Sequence, residues 1–140
     1  MAVETAWGLK LARAREHCDA LELAIRDYLD TRPYELVPVE LPSSRGLRLT
    51  VAAPPPSAFA LVVGDALHNL RSALDTRLVG VAEQLAGRLT EDQERVLDIP
   101  LVDTEGEFRD QTRPWRKRLP DLADDLERIV SRLSRGLSSR

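Results

Sequence analysis

Gly64-Asp65-Ala66-Leu67-His68-Asn69-Leu70-Arg71-Ser72-Ala73-Leu74-Asp75 lies near the middle of a helical pattern running from about Ala58 to Ala86. At about 100° per residue, Leu67, Leu70, Leu74, Leu78 and Val81 fall on one side of that helix. Asp65, His68, Asn69, Ser72, Asp75 and Thr76 fall on the opposite side, and Arg71 lies at the border. Val63 and Leu85 extend the apolar side, and Gly87 marks the end of the helix. A long helix with one leucine face needs other helices to cover it, so this stretch decides for a mainly α fold.

Upstream, Trp7, Leu11, Ala14, Cys18, Leu21, Ile25 and Tyr28 alternate spacings of four and three, an a/d seam on a helix from about Val3 to Asp30. Thr31-Arg32-Pro33 stops it, because proline disfavours the helical region for the residue before it. Such a seam requires a second helix, from this chain or from another copy. The period then changes. Leu36–Leu41 is rich in β formers, and Leu47, Leu49 and Val51 alternate with Arg48 and Thr50 around turn residues Pro42-Ser43-Ser44-Arg45-Gly46. This predicts a β-hairpin over residues 34–53. Pro38 has no N–H to donate, so its strand is expected at an edge or kinked. A lone hairpin is marginal in water and must pack on helices or pair with another chain. Pro54-Pro55-Pro56 is a stiff extended link into the central helix.

Downstream, Thr90-Glu91-Asp92-Gln93-Glu94 reads as a helical turn capped by Thr90, inside a connector over 88–119 that is otherwise expected to be irregular. A C-terminal helix is predicted from Pro120 to residue 137. Its early turns are acidic (Asp121, Asp124, Asp125, Glu127) and its late turns basic (Arg128, Arg132, Arg135), which suits the helix dipole. Leu122, Leu126, Ile129, Leu133 and Leu137 form its apolar stripe, and Ser138–Arg140 is expected to fray. The reading is a single domain over 1–140, mainly α (α+β). It is a helical bundle with two long antiparallel helices (1–31 and 57–87), an inserted β-hairpin and a C-terminal helix (120–137).

The chain has 140 residues and a formal net charge of −3, which argues against a general polyanion binder. Cys18 is the only cysteine, so no internal disulfide forms; on the apolar seam it reads as a small core residue. No apolar run approaches the ~18 residues of a membrane span, and the start lacks the basic and apolar regions of a signal peptide. A cytoplasmic protein without membrane association is expected.

Three readings of the polar stripe stand side by side: the solvated side of an amphipathic helix, a buried polar network that fixes helix register, or a site. In the last, Asp65, His68, Arg71 and Asp75 are the catalytic candidates, with Asn69, Ser72 and Thr76 as binding residues. Asp65 and His68 are i,i+3 neighbours and Arg71 and Asp75 are i,i+4, so each pair can meet on one helix. An Asp–His pair can support acid/base chemistry near neutral pH. No metal or cofactor is expected, since this set falls short of the three or four convergent ligands a transition metal needs, and His17 is distant in sequence. A second cluster, Arg109, Arg113, Trp115, Arg116, Lys117 and Arg118, interleaves cations with an aromatic ring and can grip phosphates and stack a base. The structural alternative puts Trp115 in the core and pairs Arg116 and Arg118 with Asp121, Asp124 and Asp125.

The twelve residues Gly64–Asp75 resemble the signature of a family of bacterial proteins of uncharacterised function. Its members are similar in having a long N-terminal helix, a β segment and a Gly-Asp-x-Leu-His-Asn-Leu-Arg-Ser-Ala-Leu-Asp helix. Ile99-Pro100 resembles the family's short Phe-Pro-Ile stretch, with Asp98 in place of Phe. Longer members continue into a segment with an Asp-Lys-His-Arg signature that has no counterpart in this sequence. In related sequences the residue after the final Asp is often His, and that Arg-x4-His spacing resembles the motif of HEPN ribonucleases. Those are all-helical proteins whose dimers join two such motifs to cut RNA. Here Thr76 stands at that position and cannot act as an imidazole. The resemblance implies that Arg71 can bind a phosphate and that His68 substitutes only if it faces the same space. The leading expectation is a non-catalytic helical binding or assembly protein, forming a homodimer or meeting a protein partner through the helix seam or hairpin edge. The alternative is a HEPN-like RNA-binding or ribonuclease-type protein, degenerate at its motif.

Overall fold

The computed structural model describes residues 5–137, without the side chains of Leu41 and residues 133–137. The expected helix start at Val3, the fraying of Ser138–Arg140 and the stripe positions Leu133 and Leu137 therefore lie outside what is described. In chain order the elements are α1 (Ala6–Asp30), β1 (Tyr34–Leu41), β2 (Ser44–Val51), α2 (Ala58–Ala86), α3 (Glu91–Glu94), α4 (Glu105–Arg118) and α5 (Ala123–Leu137). The described chain is mainly helical, with one antiparallel hairpin between α1 and α2, as the change of period predicts. It divides into two compact units, one of Gly8–Leu70 and one of Met1–Trp7 with Arg71–Arg140.

In the Gly8–Leu70 unit, α1 ends at Asp30, and Arg32, immediately before Pro33, has a φ of 51° in the left-handed region. The hairpin pairs Tyr34 with Val51 through to Leu41 with Ser44, so the turn is only Pro42-Ser43. Ser44, Arg45 and Gly46, expected in the turn, belong to β2. The Ala52 N–H donates to the Pro33 carbonyl at 2.7 Å and closes the open end. Tyr28 meets Tyr34 and Phe59 edge to face, with ring centroids 6.1 and 5.9 Å apart. Its hydroxyl donates to the Ala53 carbonyl at 2.7 Å. This aromatic joint ties α1, the hairpin and the start of α2 together.

Little else in that unit is buried. Among its described residues only Ala14, Pro33 and Ala66 are fully buried. The heptad seam of α1 splits: Ala14 is buried and Leu21 and Tyr28 half-buried, while Leu11, Cys18 and Ile25 are exposed. Cys18 is thus a surface residue rather than a core one. Because side chains alternate between faces, Tyr34, Leu36 and Pro38 share one face of the hairpin with their partners Val51, Leu49 and Leu47. All six are exposed.

The Arg71–Arg140 unit holds the hydrophobic core. Trp115, Leu97, Leu126 and Val130 are at most 2% exposed and pack with Leu78, Ala82, Leu119 and Leu122. The Trp115 Nε1–H donates to the Val96 carbonyl at 2.7 Å. Residues 105–118, expected to be irregular, form α4. A capping box starts it: the Glu107 N–H donates to Thr104 Oγ1, and the Thr104 N–H donates to Glu107 Oε2, both at 3.3 Å. Phe108, Thr112, Trp115 and Leu119 follow at helical spacing, and the last three are buried. Thr112 tolerates burial because its hydroxyl donates to the Arg109 carbonyl of its own helix. A similar box between Thr90 and Gln93 caps α3, as expected. α5 begins at Ala123 rather than Pro120, since Leu119–Leu122 form a tight turn in which the Leu122 N–H donates to the Leu119 carbonyl.

The side of α2 expected to face a core is largely bare. Leu78 is buried and Val81 half-buried, but Val63, Leu67, Leu70, Leu74 and Leu85 are exposed, Leu67 at 61%. Buried instead are the small residues Ala66, Ala73 and Ala82, with Asn69, Ser72, Asp75 and Thr76 half-buried.

Candidate functional site

The motif Gly64–Asp75 divides into two halves with different environments. Asp65 and His68 are exposed, and no hydrogen bond or ion pair joins them. Asn69 does not bond the Asp65 carboxylate; its Nδ2–H donates to the Asp65 backbone carbonyl at 2.8 Å. The acid/base pair read from i,i+3 spacing is therefore not assembled: nothing orients the imidazole or fixes its tautomer.

The second half is anchored. Arg71 Nε–H donates to Asp75 Oδ2 at 3.0 Å, the i,i+4 contact that the spacing predicts. Asp75 Oδ1 accepts the backbone N–H of Ile99 at 2.9 Å. The carboxylate is three-quarters buried and binds on both oxygens, so it locks the Ile99-Pro100 segment onto α2 and holds Arg71 down. The Thr76 hydroxyl donates to the Ser72 carbonyl one turn back, at 2.7 Å. Thr76 supplies no acid/base group.

Of the second cluster, Trp115 is fully buried and is unavailable as a base-stacking platform, which supports the structural alternative. Arg116 pairs with Asp124 at 3.0 Å and Glu127 at 2.6 Å, and the hydrogen bond and charge of Glu127 raise its pKa above the ordinary guanidinium value. Arg118 lies 3.9 Å from Asp92 rather than from the acids that open α5, and Arg109 pairs with Glu105 at 2.5 Å. Arg113 and Lys117 are exposed. Three of the five cations, Arg109, Arg116 and Arg118, are thus matched by acids, which suits a solvated helix surface of exposed ion pairs.

Sequence reasoning missed the neighbourhood of Glu127. An open cavity of about 630 Å³ is lined by Pro100, Val102, Phe108, Arg116 and Glu127 among others, and Glu127 Oε1 is buried without a hydrogen-bond partner. The signal was absent locally, because Arg116 and Glu127 meet across the α4–α5 turn, eleven residues apart. A smaller cavity of about 190 Å³ lies between Leu89, Gln93 and Leu119. Neither cavity is lined by a motif residue. Among the described residues no three His, Cys, Asp or Glu side chains group as metal ligands, and no helix is long and apolar enough to cross a membrane. The chain matches no protein-family model, no curated protein and no solved structure at a significant level.

Proposed function

We propose that this chain is a non-catalytic helical assembly protein, and that a second copy of itself covers the apolar surface of the Gly8–Leu70 unit. The observation that carries this is the bare leucine side of α2 in a unit with almost no core. Among the described residues, all exposed large hydrophobic side chains except Leu74, Leu85 and Leu101 belong to Gly8–Leu70. The hairpin adds Leu36, Leu47 and Leu49, exposed on one of its faces, and a lone hairpin is marginal in water.

A non-catalytic role fits the motif as well. Asp75 and Thr76 are engaged in hydrogen bonds within the fold, and no hydrogen bond or ion pair among the described residues joins His68 to Asp65. The ribonuclease-type alternative needs an oriented imidazole beside Arg71, and no observation favours it. Size-exclusion chromatography with light scattering tests the proposal. The expected result is twice the 15.7 kDa monomer mass and a shift toward monomer in Leu36→Glu and Leu67→Glu. A wild-type protein monomeric at every concentration refutes it.

A further inference from the structure

We infer that in this assembly the α1 helices of the two copies pair antiparallel about a two-fold axis beside Cys18, an inference that rests on the self-association proposed above. Leu11, Cys18, Ile25 and Leu29 lie within about 40° of one another round the helix, and all four are exposed. They form a narrow apolar stripe distinct from the Ala14, Leu21 and Tyr28 side that the copy covers itself. Cys18 is the central residue of Ala6–Asp30, so a two-fold axis there overlays the two helices along their whole length and sets Leu11 of each copy against Ile25 of the other.

Charge fixes the direction. The first half of α1 carries Lys10, Arg13 and Arg15 against Glu16 alone, and the second half Asp19, Glu22, Asp27 and Asp30 against Arg26 alone. This order opposes the helix dipole, which favours acids at the start and bases at the end; neither occurs in the terminal turns of α1. It costs the isolated helix stability and suits one neighbour well, a second α1 running the other way. Parallel pairing would set the basic half of one copy on the basic half of the other.

The closest complement flanks the stripe. Arg15 and Glu22 lie on the same edge of it, three residues before and four after Cys18, and both are exposed. Antiparallel pairing brings Arg15 of each copy to Glu22 of the other, the same-edge pairing of antiparallel helices. Symmetry makes the contact twice, as an isologous interface requires.

The test is a charge swap on the full chain, read as the dimer dissociation constant by analytical ultracentrifugation, with circular dichroism to check that helix content is kept. R15E and E22R each set like charges together twice and are expected to weaken the dimer about tenfold or more. The double variant R15E/E22R, and an equimolar mixture of R15E with E22R, restore opposite charges and return the constant to near the wild-type value. A short bis-maleimide reports the geometry directly. Each Cys18 thiol adds across one maleimide double bond, its proton ending on the adjacent carbon, and links the copies in wild type and mixture. A dimer indifferent to the single reversals, a mixture that fails to recover, or a dimer that Cys18 cannot link overturns the antiparallel pairing and leaves self-association standing. A monomeric wild-type chain overturns both.

Discussion

Asp75→Ala separates a structural motif from a catalytic one, and its cost can be worked from the contacts. The carboxylate accepts the Ile99 N–H at 2.9 Å and the Arg71 Nε–H at 3.0 Å, with the Asp75 side chain 23% exposed. Removing a charged acceptor from a half-buried backbone N–H costs about 1.5–3 kcal/mol. The partly exposed ion pair adds about 0.5–1 kcal/mol. Alanine returns about 0.5 kcal/mol through its better helix propensity. The expected net loss is about 1.5–3.5 kcal/mol, a fall of about 1 M in the urea midpoint at fixed protein concentration. Asp75→Asn keeps one acceptor for Ile99 and loses the charge, so it falls about halfway. Arg71→Ala removes only the ion pair and costs under about 1 kcal/mol. An Asp75→Ala protein within about 0.5 kcal/mol of wild type, or an Asn variant no better than the Ala variant, would refute the account of this side chain as the clamp on Ile99-Pro100.

Three further outcomes follow from single contacts. Trp115→Phe leaves the Val96 carbonyl without its donor and opens a cavity in the main core, for an expected loss of about 2–4 kcal/mol in the same denaturation assay. Arg32→Gly relieves a left-handed residue at the end of α1 and is expected to stabilise by about 0.5–1 kcal/mol, seen as a higher midpoint. Tyr28 holds its proton up to about 12, raised by burial and by its hydrogen bond and charge interaction with Tyr34. An unfolded tyrosine ionises near 10, so the stability that Tyr28 contributes is complete below about pH 10 and is lost as pH rises toward 12. Phenolate absorbance should show its late titration, and Tyr28→Phe should flatten the alkaline fall in stability.

The ends of α1 and α2, the hairpin and the Arg71–Asp75 pair were legible because each rests on short-range chemistry: a proline, a glycine, an alternation, an i,i+4 spacing. Pro114 and the run of charges from Arg109 to Arg118 masked α4, yet its capping box at Thr104 and Glu107 and the Phe108, Thr112, Trp115, Leu119 spacing were present. A threonine in a core position broke the apolar count. The Asp75–Ile99 bond was not legible, since it joins positions 24 apart through a backbone N–H, which carries no residue identity. Nor was the side on which α2 is covered. Periodicity shows that Leu67, Leu70 and Leu74 share a face, and says nothing about whether the same chain supplies the cover.

That last point bears on how large the cover must be. Val63, Leu67, Leu70, Leu74 and Leu85 each retain a third to two-thirds of their surface. Burying the rest yields about 1 kcal/mol apiece, since full burial of such a side chain is worth about 1.5–3 kcal/mol. In the proposed dimer two copies would gain about 10 kcal/mol from this stripe, which only matches the roughly 4–15 kcal/mol cost of association. The α2 stripe alone would therefore give at best a weak pair, and the proposal draws on the exposed α1 stripe round Cys18 and on Leu36, Leu47 and Leu49 of the hairpin as well. With so narrow a margin, a charge placed at Leu67 is expected to shift the balance toward monomer.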